Sequence, residues 1–95
     1  MNSITIKTVE KAHSLAISKG EEPTYFIKLQ TENGIIIEEL CFNEIIEFIS
    51  PKLQSTEKIT LSCHELNTVI LSISGSSATF YKDDLWKAFK YAQSL

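Results

Sequence analysis

Apolar and polar positions alternate over residues 3–9, SITIKTV, so that Ile4 and Ile6 share one face of a first strand. Thr8 then stands where it can cap a short helix over residues 9–19. Val9, Ala12 and Ala16 fall on one side of that helix with Leu15 beside them, Gly20 follows its end, and Pro23 lies just beyond. The stretch is also rich in β-branched and small residues, so the competing reading is a continued strand followed by loop.

The pattern is densest in TYFIKLQTENGIIIEELCFNEIIEFISP, residues 24–51, which reads as strand, tight turn, strand and helix. Loop length decides which side chains are buried, because a slip of one residue turns every side chain over. A two-residue Asn33-Gly34 loop pairs Gln30 with Ile37 and separates Ile35 and Ile37 from Ile27 and Leu29. A three-residue loop, Glu32-Asn33-Gly34 with a left-handed Gly34, gathers Tyr25, Ile27, Leu29, Ile35 and Ile37 on one face, and is the expected arrangement. It sets Lys28 opposite Glu38, a cross-strand ion pair of about 0.2–1 kcal/mol, and leaves Phe26, Ile36 and Leu40 on the other face. Asn43 is the expected N-cap of the following helix, with Glu44 in its first turn complementing the helix dipole. Phe42, Ile45, Ile46, Ile49 and Leu53 keep helical spacing, Pro51 ends the regular helix at Ser50, and Glu44 and Glu47 lie on the outer face.

The remainder follows the same plan. Residues 57–63 alternate with Ile59, Leu61 and Cys63 inward, and residues 68–74 with Val69, Leu71 and Ile73 inward. Gly75 and Ser76 turn the chain into a strand through Phe80. Asp83 or Asp84 caps a last helix whose buried stripe is Leu85, Ala88, Phe89 and Ala92, with Lys87 and Lys90 outside. Two stretches therefore share the order strand, turn, strand, helix, either by duplication or by recurrence of a common motif. The fold expected is α+β: one antiparallel sheet of five to six strands with two or three helices packed on one face, a loose ββα repeat, in a single domain spanning 1–95.

Composition narrows the function classes. A chain of 95 residues can bury a core without metal or disulfide staples, so no cofactor is needed to explain its stability. Cys41 and Cys63 match no metal or redox spacing, and the N-terminus lacks the basic and apolar regions of an export signal. A reduced, cytoplasmic setting is expected. The uninterrupted aliphatic run 35–37 is far short of the roughly 20 residues that cross a bilayer. Formal net charge is −3 and the nine basic residues are all lysine. Without the planar guanidinium fork that grips phosphate and guanine, direct nucleic-acid binding is not expected. Lysine in place of arginine, with many isoleucines and serines, suits an AT-rich coding sequence of a low-GC bacterium or its phages.

Cys63-His64-Glu65 brings thiol, imidazole and carboxylate together in sequence, yet neighbours on a strand point to opposite faces. A buried cysteine ending a strand, followed by a polar turn, accounts for the run. His13 with His64, and Glu10 or Glu65 as oxygen ligand, lack the spacing of a metal site. Cys41 near a helix start reads as small core filler. Glu38-Glu39 and Asp83-Asp84 each precede a helix, where acids serve as caps. Gly20, Gly34 and Gly75 are isolated turn residues rather than a phosphate loop.

The acidic excess is concentrated: Glu21, Glu22, Glu32, Glu38, Glu39, Glu44 and Glu47 lie between Gly20 and Ser50 against one base, Lys28. Helix capping uses one or two of these. The expected function is therefore a small acidic, non-enzymatic protein-binding module that blocks or regulates a basic partner, a toxin or a nucleic-acid-binding protein, through Glu38, Glu39, Glu44 and Glu47. Toxin-immunity proteins, antitoxins and phage inhibitors such as anti-CRISPR proteins offer an analogy of size and charge. The alternative is a homodimer or assembly subunit using an open sheet face with Phe26, Ile36, Ile70 and Tyr81, or an uncovered edge strand. Trp86 is either a core-edge packer or an anchor for the partner. A Cys63-dependent enzyme using His64 or His13 is the third reading.

Overall fold

Alternating segments joined by turns fold here into two separate meanders. The computed structural model describes residues 3–10, 12–48 and 55–95. Strands β1 (Ser3–Lys7), β2 (Ser14–Lys19), β3 (Thr24–Thr31) and β4 (Gly34–Cys41) form a four-stranded antiparallel sheet in the order β1-β2-β3-β4. Helix α1 (Phe42–Phe48) follows without a break. Strands β5 (Ile59–Glu65), β6 (Thr68–Ile73) and β7 (Ser76–Tyr81) then form a three-stranded antiparallel sheet, β5-β6-β7, which runs directly into α2 (Lys82–Gln93).

The expectation of one sheet of five to six strands with helices on one face is thus corrected to two sheets of four and three strands. Hairpin followed by helix does occur twice, as β3-β4-α1 and β6-β7-α2, but in different sheets. The physical reason lies at the sheet edges. Outward-facing Thr79 on the edge strand β7 is held by the chain just after β1: its carbonyl accepts from the Val9 N–H at 2.8 Å, and its N–H donates to both Glu10 carboxylate oxygens at 3.1 and 3.2 Å. The β7 edge is thus occupied at Thr79, midway along the strand, by the chain after β1 rather than by a strand of the first sheet.

The described residues of the 9–19 segment are not helical. Residues 14–19 form β2, pairing Leu15 with Leu29 and Ile17 with Ile27, so the β-branched and apolar alternation overrides the capping signal at Thr8. Thr8 Oγ1 instead donates to the Glu10 carbonyl at 2.8 Å within the β1–β2 connection.

The β3–β4 register also departs from both expected loops. Thr31 pairs with Gly34 around the two-residue loop Glu32-Asn33. The Thr31 hydroxyl accepts the Asn33 N–H at 3.2 Å and donates to the Gly34 carbonyl at 3.4 Å, so a threonine-centred turn closes the hairpin one residue earlier than the Asn-Gly signal suggests. Lys28 consequently faces Ile37, and Ile27 faces Glu38, which removes the expected Lys28–Glu38 pair. Ile35 and Ile37 lie outside, 55 % and 58 % exposed, while Ile36 packs against the core and Leu40 is buried.

One continuous core draws on both sheets and both helices: Leu15, Ile17, Tyr25, Ile27, Leu29 and Leu40 from the first sheet, Ile59, Val69, Leu71, Ile73 and Phe80 from the second, Ile45 from α1. From α2 it takes Leu85, Ala88, Phe89 and Ala92, the stripe expected from the sequence. Helix α2 lies against β1, β2 and α1. Its N-cap is Tyr81, with Asp83 and Asp84 in the first turn and no side-chain cap bond; the Lys82 N–H donates to the Asn67 carbonyl at 2.8 Å instead. The β6–β7 turn is Ser74-Gly75, with φ of +47° and +85°, one residue earlier than the expected Gly75-Ser76. Of the stripe expected on α1, Ile49 and Leu53, with Ser50 and Pro51, lie outside the described residues.

Candidate protein-binding surface

Strand β4 is an edge of its sheet, and its two halves differ. Register alternation means that every second residue turns its N–H and C=O away from β3. Two observations fix which ones. The Glu39 carbonyl accepts from the Lys58 ammonium at 2.7 Å, and the Cys41 N–H donates to Glu44 Oε2 at 3.1 Å. Both groups therefore face the free edge, and the same alternation places the N–H and C=O of Ile35 and Ile37 there too. The edge is closed at Glu39 and Cys41. Among the described residues, nothing is hydrogen-bonded to it at Ile35 and Ile37.

This geometry changes the meaning of the acidic residues. Glu44 is the third residue of α1 and reaches back to the N–H of the residue preceding the helix, the reciprocal half of a capping box. That places the cap position at Cys41 rather than Asn43. Glu38 lies on the core side of β4 and accepts from the Ser74 hydroxyl at 2.8 Å, linking the two sheets. Glu39 and Glu47 remain exposed. Among the described residues the one ion pair is Lys19–Glu22 at 3.4 Å.

The apolar candidates do not form one patch. Phe26 is on the outer face of the first sheet, 37 % exposed, opposite Ser18 and Glu39, with its ring against Gly20. Ile36 is on the inner face of that sheet. Ile70 and Tyr81 are on the outer face of the second sheet, and Trp86 is half-buried on α2. The single open face expected from the sequence is therefore divided between two sheets. What the outer face of β3–β4 carries instead is Ile35 beside Gln30, Ile37 beside Lys28, and Phe26 beside Glu39. Ile35 and Ile37 were expected inward; the hydroxyl of Thr31 at the turn was the signal that would have turned them out.

Cys63 and Cys41, both expected as buried, are exposed free thiols. Cys63 keeps the inward side of β5 opposite Val69, but a register irregularity between Cys63 and Glu65 carries the strand end past the core. His64 is exposed and, like Cys63, has no hydrogen-bonded partner among the described residues. His13 is half-buried with Nδ1 unpartnered among the described residues, and Glu10, the carboxylate nearest in sequence, is engaged by Thr79. Burial acts to raise the Glu10 pKa. Hydrogen bonds from its own backbone, from the Thr79 and Thr8 side chains and from the Thr79 backbone outweigh burial and hold it below the ordinary carboxylate value. Among the described residues no group of three His, Cys, Asp or Glu side chains is placed to hold a metal ion. The surface hollow between Pro23, Tyr25, Phe42 and Leu95 has a volume of ≈ 290 Å³ and brings Lys19 and Glu22 to its wall, already paired with each other.

The fold and its candidate surface define a small α+β chain of two antiparallel meanders. Comparison with protein families, with curated proteins and with solved structures finds no match. No helix among the described residues is long and apolar enough to cross a membrane, which leaves strand-built spans unaddressed.

Proposed function

We propose that this chain is a non-enzymatic protein-binding module whose contact surface is the open half of β4 and the outer face beside it. The observation that carries this reading is the coincidence, at Ile35 and Ile37, of exposed branched apolar side chains with a free strand edge. An uncapped apolar edge offers backbone hydrogen bonds and side-chain contacts to an incoming strand, the combination used in strand addition. Capping of the same edge at Glu39 and Cys41 supports the reading, because it confines docking to one segment. Two exposed, unpaired thiols suit a reducing, cytoplasmic setting.

The test is affinity capture from the native host, comparing wild type with Ile37→Lys. The expected result is a bound protein lost from the variant; a partner held equally by both overturns the reading. A second reading, docking of a basic partner through the acidic surface, is favoured by Glu39 and Glu47 alone of the four candidates, since both are exposed and neither is in an ion pair among the described residues. It expects capture that weakens at high salt and is lost in Glu39→Lys, Glu47→Lys while surviving Ile37→Lys.

A further inference from the structure

Resting on the reading of β4 as the contact surface, we infer that the partner is a second copy of this chain, joined by antiparallel β4–β4 pairing about a two-fold axis through Ile36. An isologous strand pair must place edge-facing residues opposite edge-facing residues, so the axis passes through a residue and not between two. Every residue of β4 satisfies that condition, and the exposed part offers four: Ile35, Ile36, Ile37 and Glu38. An axis at Ile35 sets Ile37 against the loop residue Asn33 of the second copy and leaves Ile35–Ile35 as the sole hydrogen-bonded pair within the strands.

An axis at Glu38 sets the two Glu38 side chains against each other, a like-charge pair on one face. An axis at Ile37 sets Glu38 against Ile36 and needs the Glu39 carbonyl for the bond to Ile35 of the second copy, but that carbonyl already holds Lys58. An axis at Ile36 meets none of these obstacles. It uses the free N–H and C=O of Ile35 and Ile37, which lie opposite Ile37 and Ile35 of the second copy. Ile36 meets Ile36, and Glu38 lies opposite Gly34. The segment GIIIE is thus self-complementary about its centre.

Charge supports the same register. Glu39 falls opposite Asn33 of the second copy, so the partner's acidic loop residue Glu32 arrives alongside Leu40, next to the ammonium of Lys58 on Glu39. The pairing occurs twice by symmetry. The two four-stranded sheets become one of eight, and the exposed isoleucines of both copies form a continuous cluster on its outer face.

The test is sedimentation equilibrium of the full chain up to about 1 mM, with cysteine cross-linking in a Cys41→Ser, Cys63→Ser background. Ile36–Ile36 would be a non-hydrogen-bonded pair with Cα atoms about 4.5 Å apart, within disulfide reach. Under oxidised glutathione, Ile36→Cys should therefore give a covalent dimer faster than Ile37→Cys. Ile37→Lys should weaken dimerisation about 100-fold, a factor of ten at each of two symmetric contacts. A wild-type chain that is monomeric throughout overturns the second-copy inference while leaving the proposed function to the host-capture experiment. A dimer that cross-links at Ile37→Cys in preference to Ile36→Cys, or that survives Ile37→Lys unchanged, overturns the register.

Discussion

Replacing Glu10 by Gln should weaken the contact that closes β7, and should do so in a pH-dependent way. Both carboxylate oxygens approach the Thr79 N–H in a forked, charge-assisted bond between the chain after β1 and the second sheet, with the Glu10 backbone and the Thr79 and Thr8 side chains adding to the hold on the carboxylate. A bond to a charged group contributes about 1.5–3 kcal/mol where buried. Glu10 is half-exposed, which argues for the lower end, and glutamine keeps a neutral acceptor there, so the expected loss is about 1 kcal/mol at pH 7. For a domain of this size that corresponds to a fall in Tm of about 4–8 °C. Because the folded pKa of Glu10 is held below its ordinary value of 4.5, the charge stabilises the fold above that value. The contribution is lost as pH falls through the folded pKa. Urea unfolding followed by far-UV circular dichroism, at pH 7 and in acid, should show a gap between wild type and Glu10→Gln that closes in acid. An equal gap at both pH values, or none at pH 7, would refute the argument.

Glu44→Ala removes the side chain that accepts from the Cys41 N–H, and should cost about 1 kcal/mol in urea unfolding, the usual cost of losing a cap, with Glu44→Gln costing less. Gly75 has φ of +85° in the β6–β7 turn with open space around the absent side chain, so Gly75→Ala should destabilise by about 1 kcal/mol from backbone conformation alone. Cys41 and Cys63 should both be alkylated by iodoacetamide in the native protein, and resistance at either position by mass spectrometry would contradict its exposed placement.

The sequence made the local elements easier to read than their assembly. The β3–β4 hairpin and the buried stripe of α2 follow from periodicity, because burial acts directly on alternation and helical spacing. Sheet number does not follow from periodicity, since it depends on which edges are free. Here a carboxylate distant in sequence, Glu10, closes β7, and a lysine in the segment before β5, Lys58, closes part of β4. Neither has a local signature. Register was lost for a smaller reason: the Thr31 hydroxyl competes with the Asn-Gly turn signal, and the one-residue difference moves Ile35 and Ile37 from core to surface. The acidic cluster was visible in composition, but the division between Glu44 and Glu38, which hold the fold, and Glu39 and Glu47, which face solvent, depends on contacts the sequence does not record.

Residue-resolved amide hydrogen exchange across β4 tests the central claim most directly. In dilute protein the amides of Ile36 and Glu38, bonded to β3, should be protected, as should Cys41, bonded to Glu44, while Ile35 and Ile37 should exchange at nearly the rates of free peptide. Protection of Ile35 and Ile37 in dilute solution equal to that of Ile36 would contradict an open edge there, and with it the contact surface built upon it.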